Sequence, residues 1–112
     1  MSQITTHVLD TSTGRPAANI TAILEFQIAG SWKQLGEGKT DGDGRLKGLL
    51  GLAKLEAGVY CLTFATGEYF AAREVEPLYP HVSIVFEVRD AAQHYHIPLL
   101  LSPFGYSTYR GS

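Results

Sequence analysis

The side chains best suited to chemistry in this sequence are imidazoles, a guanidinium and a phenol. His7 lies near the start of the chain, and Arg45 follows a glycine-rich turn. One residue separates His94 from His96, and Tyr109 lies close to the last residue. An imidazole ionises at a pKa of ~6.5 and exchanges protons near neutral pH, whereas a guanidinium stays charged and offers a planar fork of donors. Together they could do acid–base chemistry, if neighbouring strands or a second subunit bring them together. The alternative is that the histidines are scattered over the surface.

His94 and His96 have the spacing of two metal ligands on one face of a strand. No cysteine and no further histidine at ligand spacing completes such a set. The run that begins at Asp41 also resembles the start of a calcium loop, but Arg45 stands at its third acidic position and Leu52 at its last ligand position. A hairpin turn explains this run better, and we predict that the protein binds no metal.

Nucleophilic catalysis by serine or cysteine has little support in the sequence. Neither Ser107 nor Ser112 lies in a G-x-S-x-G elbow. The single cysteine, Cys61, lies within the predicted strand Val59–Phe64, where it is best interpreted as a buried structural thiol, and it cannot form an intrachain disulfide. Serine-hydrolase chemistry of this type and redox chemistry are therefore disfavoured.

The elements that must position these residues are predicted to be strands. Short stretches with a period of two residues alternate with turns rich in glycine, proline and aspartate, which predicts an all-β sandwich or barrel. Residues Thr66–Arg73 have few β-branched side chains and predict one short helix that opens near Thr66. The eight candidate strands, forming two sheets, are Ile4–Asp10, Ile20–Gln27, Trp32–Lys39, Arg45–Gly48, Val59–Phe64, Val82–Val88, Gln93–Leu101 and Tyr106–Arg110.

Side-chain alternation predicts which residues of each strand face the core, because successive side chains point to opposite sides of a sheet. The predicted core-facing residues are Ile4, Thr6, Val8, Leu46, Val82, Ile84, Phe86, Val88, Tyr95, Ile97, Leu99, Leu101, Tyr106 and Thr108. The predicted outward residues are His7, Arg45, Lys47, His94, His96, Pro98, Ser107, Tyr109 and Gly111. The residues that could do chemistry thus share the outer surface.

Size and charge restrict the possible partners. A chain of 112 residues predicts one domain over residues 1–112. A formal net charge of -2 without basic clusters predicts no nucleic-acid partner. The start of the chain lacks a basic segment followed by an apolar core, and no apolar run approaches the ~18 residues of a membrane span. We therefore predict a cytoplasmic protein with no membrane partner.

Three blocks of the sequence resemble a known family. They are His7–Asp10 with Gly14–Ala17, Gly42–Arg45, and His94–Pro103 running into Tyr106–Ser112. Over almost its whole length the chain resembles the transthyretin-related 5-hydroxyisourate hydrolases of purine breakdown, and the terminal Tyr-Arg-Gly-Ser is the most specific part of the match. Transthyretin, the hormone carrier, shares the fold and the Ser-Pro-turn-Tyr-Ser-Thr stretch but lacks the His/Arg/His set and the terminal tetrapeptide.

The resemblance implies a transthyretin-like (prealbumin-like) β-sandwich of two four-stranded sheets with one short helix. It also implies a homotetramer, built as a dimer of dimers, with its sites in a channel between dimers; such an assembly would cover the outward faces. The positions it assigns to catalysis are His7, Arg45, His96 and Ser112. The positions it assigns to substrate binding are His7, Arg45, Tyr109, Arg110 and Gly111.

The implied reaction opens the cyclic amide of 5-hydroxyisourate with water. The product is 2-oxo-4-hydroxy-4-carboxy-5-ureidoimidazoline, on the route from urate to allantoin. His7 or His96 would act as the base, Arg45 would stabilise developing negative charge, and Tyr109 would pack against or bond the flat ring. Ser112 would orient water or a histidine through its hydroxyl or a terminal carboxylate, and no cofactor is needed.

Two other functions remain open at this point, and His94 receives no role. One is a non-enzymatic carrier of a small ligand on the same fold. The other is a structural or carbohydrate-associated sandwich module, which leaves the C-terminal block unexplained.

Overall fold

The computed structural model describes residues 3–112; Met1 and Ser2, the first residues of the predicted domain, lie outside this range. The described residues form nine strands and one helix. Their bounds are β1 Ile4–Asp10, β2 Arg15–Pro16, β3 Thr21–Ile28, β4 Ser31–Lys39, β5 Arg45–Leu46, β6 Gly58–Phe64, α1 Thr66–Ala71, β7 Val82–Val88, β8 Tyr95–Ser102 and β9 Gly105–Thr108. The helix opens at the predicted residue, and no helix of the described part is long and apolar enough to cross a membrane.

Two sheets make up the sandwich. One has the order β2-β1-β8-β9, with β5 paired to β1, and the other has the order β4-β3-β6-β7. The prediction of two four-stranded sheets is therefore corrected in one sheet, which has five strands. The additional strand, Arg15–Pro16, pairs with the end of β1. Its two residues are too few to show a period of two, and proline is depleted in strands except at edges.

Several strand bounds also differ from the predicted ones, and each difference lies at a strand end. The strand predicted to reach Gly48 ends at Leu46, and Gly48 has a positive φ of 73°, which interrupts extended pairing. The last strand ends at Thr108 rather than Arg110, although Gly111 forms an isolated bridge with His96. The tail therefore returns to the sheet after a short interruption.

The predicted alternation between core and surface is confirmed along β1, and along β8 with one correction: Pro98, predicted to face outward, is buried because the tail at Gly111 lies against it. Tyr106 and Thr108 of β9 are also corrected: they are predicted to face the core but are exposed, because β9 is the edge strand of its sheet. Ile4 and Val8 are fully buried, Thr6 is 1% exposed, and the residues between them are half-buried. The hydroxyl of Thr6 donates to the carbonyl of Ile97 at 2.6 Å, so this polar core residue keeps a hydrogen bond. The face opposite the core is consequently the outer surface on which the candidate site lies.

A buried carboxylate ties the helix to β1. Asp10, 1% exposed, accepts hydrogen bonds from the Tyr69 hydroxyl at 2.8 Å and from the backbone N–H of Ser12 at 3.0 Å. Burial acts to raise the pKa of Asp10, but the hydrogen bonds from Ser12 and Tyr69 outweigh it and the pKa is lowered. Burial and the contact with Asp10 raise the pKa of Tyr69 to about 12. The Arg73 guanidinium lies 3.7 Å from the centroid of the Tyr69 ring.

We expect Tyr69→Phe to lower the free energy of unfolding by about 1–3 kcal/mol, because a buried carboxylate oxygen then loses its donor. Urea denaturation measures this change. Tyr79→Phe is the matched control, since Tyr79 is 39% exposed and water can replace its hydroxyl contacts. Equal stabilities for the two variants would show that the Asp10 contact contributes little.

Candidate active site

Three strands bring the predicted catalytic residues to one face of the five-stranded sheet. β1 pairs in parallel with β8, which places Thr5 opposite His96 and His7 opposite Pro98. On its other side β1 pairs with β5, which places His7 opposite Arg45. All of these residues except Pro98 lie at outward positions that are half-buried or exposed. Neighbouring strands of a single chain therefore bring His7, Arg45 and His96 to one face of the sheet.

The turn before β5 orients Arg45. The side-chain Oδ1 of Asp41 accepts hydrogen bonds from the backbone N–H groups of Asp43 at 2.9 Å and Arg45 at 3.0 Å. These bonds, that from Arg45 foremost, lower the pKa of Asp41. The sequence interpretation of a hairpin turn is corrected in one respect: the turn leads from β4 in one sheet to β5 in the other, rather than between paired strands. The Asp41 carboxylate thus serves to hold backbone N–H groups of the turn.

A cavity of about 530 Å³ opens on this face. Its volume lies within the range of small-molecule sites. The polar side chains that line it include those of Thr5, Arg45, Lys47, His94, His96 and Ser112. Its wall thus combines cations, imidazoles and hydroxyls.

The predicted catalytic residues fall into two groups. Arg45, His96 and Ser112 line the cavity, whereas His7 lies on the same face beside Arg45 without being part of the cavity wall. His7 is nevertheless close enough to act on the charge of His96.

The predicted binding residues of the tail lie in different places. Tyr109 is 57% exposed and does not line the cavity in the single chain. The guanidinium of Arg110 donates to Oε1 of Gln93 at 2.8 Å and to the carbonyl of His94 at 3.1 Å. It also lies 4.2 Å from the centroid of the Tyr95 ring. In the described chain, Arg110 therefore anchors the tail to the start of β8 instead of lining the cavity.

Gly111 lies directly against the candidate site. Its backbone N–H donates to the carbonyl of His96 at 2.8 Å. A Cβ at this position would lie 2.6 Å from Cδ2 of His96 and 3.1 Å from Cγ of Pro98, and both distances are shorter than ordinary contacts. Only glycine lets the tail approach the imidazole this closely, and this approach carries Ser112 to the cavity.

The surroundings of His96 favour the neutral form of its ring. Its Nδ1 lies 2.8 Å from Oγ1 of Thr5. Burial lowers the pKa of His96, and the positive charges of His7, Arg45 and His94 lower it further. A neutral imidazole is the form that can accept a proton from water.

We expect His96 to titrate below the ~6.5 of an unperturbed imidazole, and Arg45→Gln to move its pKa upward by removing a nearby cation. NMR titration of the imidazole protons measures both values. Because the folded pKa lies below the unfolded one, the unfolded chain binds more protons as the pH falls from ~6.5, so the free energy of unfolding should decrease over this range. An unchanged or lower pKa in Arg45→Gln would contradict this account of the site.

Several cavity residues were missed as site residues by sequence reasoning, among them Thr5, Lys47 and His94. Thr5 lies two positions before His7 in β1, so the same alternation that places His7 outward would have found it. Lys47 was predicted to face outward but received no role. His94, also left without a role, has its Nε2 3.0 Å from Oγ1 of Thr5. In the described part of the chain, no group of three or more histidine, cysteine or acidic residues is arranged to hold a metal ion.

The two sheets and the histidine–arginine face define a transthyretin-like β-sandwich that carries an acid–base site on one sheet. The HIUase/Transthyretin family, whose first name abbreviates 5-hydroxyisourate hydrolase, matches residues 4–111, and the chain belongs to this family. The family and fold class that the sequence predicted are therefore confirmed.

Individual relatives include both branches of the family. A 5-hydroxyisourate hydrolase from Ralstonia nicotianae is 45% identical over 118 residues, with 100% of each chain covered. The structure of Klebsiella pneumoniae 5-hydroxyisourate hydrolase has a TM-score of 0.88 and 39% identity, with 100% of each chain covered. Sea bream transthyretin in complex with thyroxine has a TM-score of 0.91 and 31% identity, covering 96% of this chain and 93% of that one.

Proposed function

We propose that this protein hydrolyses 5-hydroxyisourate to 2-oxo-4-hydroxy-4-carboxy-5-ureidoimidazoline in the breakdown of urate. The observation that carries the proposal is the convergence of Arg45, His96 and Ser112 on one cavity, in a chain 41–45% identical to 5-hydroxyisourate hydrolases over nearly its full length. An oxidised purine ring is flat, polar and rich in carbonyl oxygens. Such a substrate suits a cavity lined by cations, imidazoles and hydroxyls.

In the proposed mechanism His96 is the general base. With Nδ1 engaged by Thr5, Nε2 is the ring nitrogen available to a water molecule in the cavity. The water oxygen adds to the carbonyl carbon of the cyclic amide while a water proton passes to Nε2. The lowered pKa of His96 supports this role, because it favours the unprotonated ring near neutral pH.

Arg45 is assigned to the negative charge that develops on the carbonyl oxygen. A guanidinium stays protonated and presents several donors in one plane, so it can stabilise this charge without giving up a proton. When the tetrahedral intermediate collapses, the carbon–nitrogen bond breaks and the ring nitrogen takes the proton held by His96. The new carboxylic acid then ionises close to Arg45 and Lys47, the two cations of the cavity wall.

The remaining predicted residues are assigned to binding. His7, in register with Arg45, supplies a further polar contact to the substrate ring, and Ser112 orients the attacking water from the cavity wall. Gly111 supports Ser112 by holding the tail against His96. Tyr109 packs on the substrate once another subunit closes the site. Arg110 is assigned to holding the tail, in line with its contacts to Gln93 and His94.

The carrier and module functions considered from the sequence are less well supported. A carrier for an apolar ligand needs a channel lined by aliphatic and hydroxyl residues, whereas this cavity contains Arg45, Lys47, His94 and His96. The relatives named above that are hydrolases are also more similar in sequence than the carrier, at 39% and 45% against 31% identity.

The assembly belongs to the proposal as well. We infer a single-domain cytoplasmic protein that forms a homotetramer, a dimer of dimers, with small-molecule substrate as its partner and no nucleic acid or membrane. Large exposed side chains near the tail support an assembly, since Phe104 is 72% and Tyr109 57% exposed in the single chain. Sedimentation at assay concentration tests this, and a fully active monomer would contradict it.

Absorbance decay of freshly made 5-hydroxyisourate, with and without protein, tests the activity. We expect the protein to accelerate the decay with no metal or nucleotide added and after dialysis against a chelator. A decay rate unaffected by protein would refute the proposed function. A rate lost on dialysis and restored by zinc would refute its metal-free part.

A further inference from the structure

Thr5 bridges two histidines at the edge of the cavity. Its Oγ1 lies 2.8 Å from Nδ1 of His96 and 3.0 Å from Nε2 of His94. Thr5 is directly opposite His96 in the β1–β8 ladder, so the backbone pairing itself sets this contact. One hydroxyl therefore joins the proposed base to a second, exposed imidazole.

The direction of the hydrogen bond between Thr5 and His96 decides which ring nitrogen of His96 carries the hydrogen. A threonine hydroxyl carries one hydrogen, so it can donate to only one of the two imidazoles. If it accepts the Nδ1–H of His96, the neutral His96 ring has an unprotonated Nε2; in this case Thr5 either donates to Nε2 of a neutral His94 or accepts an Nε2–H from His94 as well. If it donates to Nδ1 of His96, the neutral ring carries its hydrogen on Nε2 and cannot accept a proton there.

The charges of the cavity favour the His96 tautomer with hydrogen on Nδ1 and none on Nε2. Arg45 and Lys47 line the same cavity as His96, and the charge of Arg45 acts on His96. With Nδ1 turned to Thr5, Nε2 is the ring nitrogen left to face the cavity, where nearby cations favour an unprotonated nitrogen over an N–H. The electrostatic environment thus selects the tautomer in which Nε2 is a proton acceptor.

We propose that Thr5 and His94 are positioning residues that hold His96 in the tautomer with hydrogen on Nδ1 and a free lone pair on Nε2. The chain of donors runs from Nδ1 of His96 to Oγ1 of Thr5 and, when His94 is neutral, from the Thr5 hydroxyl to Nε2 of His94. The catalytic consequence rests on the proposed function, in which Nε2 accepts a proton from water. The tautomer itself does not depend on that function.

The kinetic test compares Thr5→Val with Thr5→Ser. Valine keeps the shape of threonine and removes the hydroxyl, so we expect kcat for 5-hydroxyisourate to fall about 10- to 100-fold with KM little changed, the size of loss found for partners that orient a metal-ligating imidazole. Serine restores the hydroxyl and should recover most of the rate.

Thr63→Val is the matched control, because it removes a hydroxyl bonded to Ser83 at 3.0 Å on the other sheet. His94→Ala should lower kcat less than Thr5→Val, since water can accept the hydrogen of Thr5.

Two-bond proton–nitrogen NMR spectra of the imidazole rings test the tautomer without substrate. Above the pKa of His96 we expect Nδ1 to be protonated and Nε2 unprotonated in the wild-type protein, and Thr5→Val to increase the other tautomer. A wild-type His96 protonated at Nε2 overturns the inference. So does a Thr5→Val enzyme with unchanged kcat, or a Thr5→Ser enzyme as slow as Thr5→Val. If the wild-type protein leaves 5-hydroxyisourate decay unchanged, the proposed function fails, and the spectra alone decide the role of Thr5.

Discussion

His96→Ala should lower kcat/KM for 5-hydroxyisourate by roughly 10²- to 10⁴-fold, the usual contribution of a positioned general base. The ring of His96 lines the cavity, and its lowered pKa keeps it neutral, so alanine removes the group that takes the proton of the attacking water. The backbone of residue 96 remains available to pair with Thr5 and Gly111. The loss should therefore appear in turnover without loss of the fold, as checked by steady-state kinetics and circular dichroism.

Arg45→Ala should lower kcat/KM for 5-hydroxyisourate by roughly 10²- to 10³-fold, as expected when a group that stabilises an oxyanion is removed.

We expect His7→Ala to lower turnover roughly 10²-fold as well, since His7 lies in register with Arg45 on the same face. His81→Ala is the matched control, because His81 is an exposed histidine that does not line the cavity. Losses at His94 as large as those at His96 would show that the base has been assigned to the wrong imidazole.

Gly111→Ala should lower kcat/KM by roughly 10²-fold, because a displacement of about 1 Å in a reacting group can cost this much. The added methyl group would meet Cδ2 of His96 at 2.6 Å and Cγ of Pro98 at 3.1 Å. Either the imidazole rotates away from Thr5, or the tail lifts and its hydrogen bond to the carbonyl of His96 breaks. Both responses misplace the proposed base or remove Ser112 from the cavity.

The control for Gly111→Ala is Gly105→Ala in the same C-terminal segment. An added Cβ at Gly105 has only Oγ of Ser102 nearby, at 3.8 Å, which is an ordinary contact. Steady-state kinetics and melting temperature should be measured on both variants. We expect Gly105→Ala to keep its activity and Gly111→Ala to lose activity with a smaller effect on melting. If both variants keep wild-type kcat/KM, the tail does not hold the site.

The sequence alone determined the alternation of each strand, and with it the outward position of His7, Arg45 and His96. A period of two residues is a local property, because the geometry of an extended backbone sends successive side chains to opposite faces. The C-terminal block, His94–Pro103 with Tyr106–Ser112, was also enough to indicate the family without knowledge of any contact. The fold class and the helix that opens at Thr66 followed from such local signals.

Only the tertiary structure decided which outward residues meet. Thr5 and His96 are neighbours because β1 and β8 pair in parallel, yet they lie 91 positions apart in the chain. Backbone hydrogen bonds are the same for every residue type, so local sequence does not specify such a partner or its register.

Arg110 shows the same limit within the C-terminal tail. The family resemblance assigns it to substrate binding with Tyr109 and Gly111, and in the single chain its guanidinium contacts Gln93 and the carbonyl of His94. Where a long, flexible side chain ends is decided by acceptors and rings that the fold brings within reach, and here they come from residues 16 and 17 positions earlier.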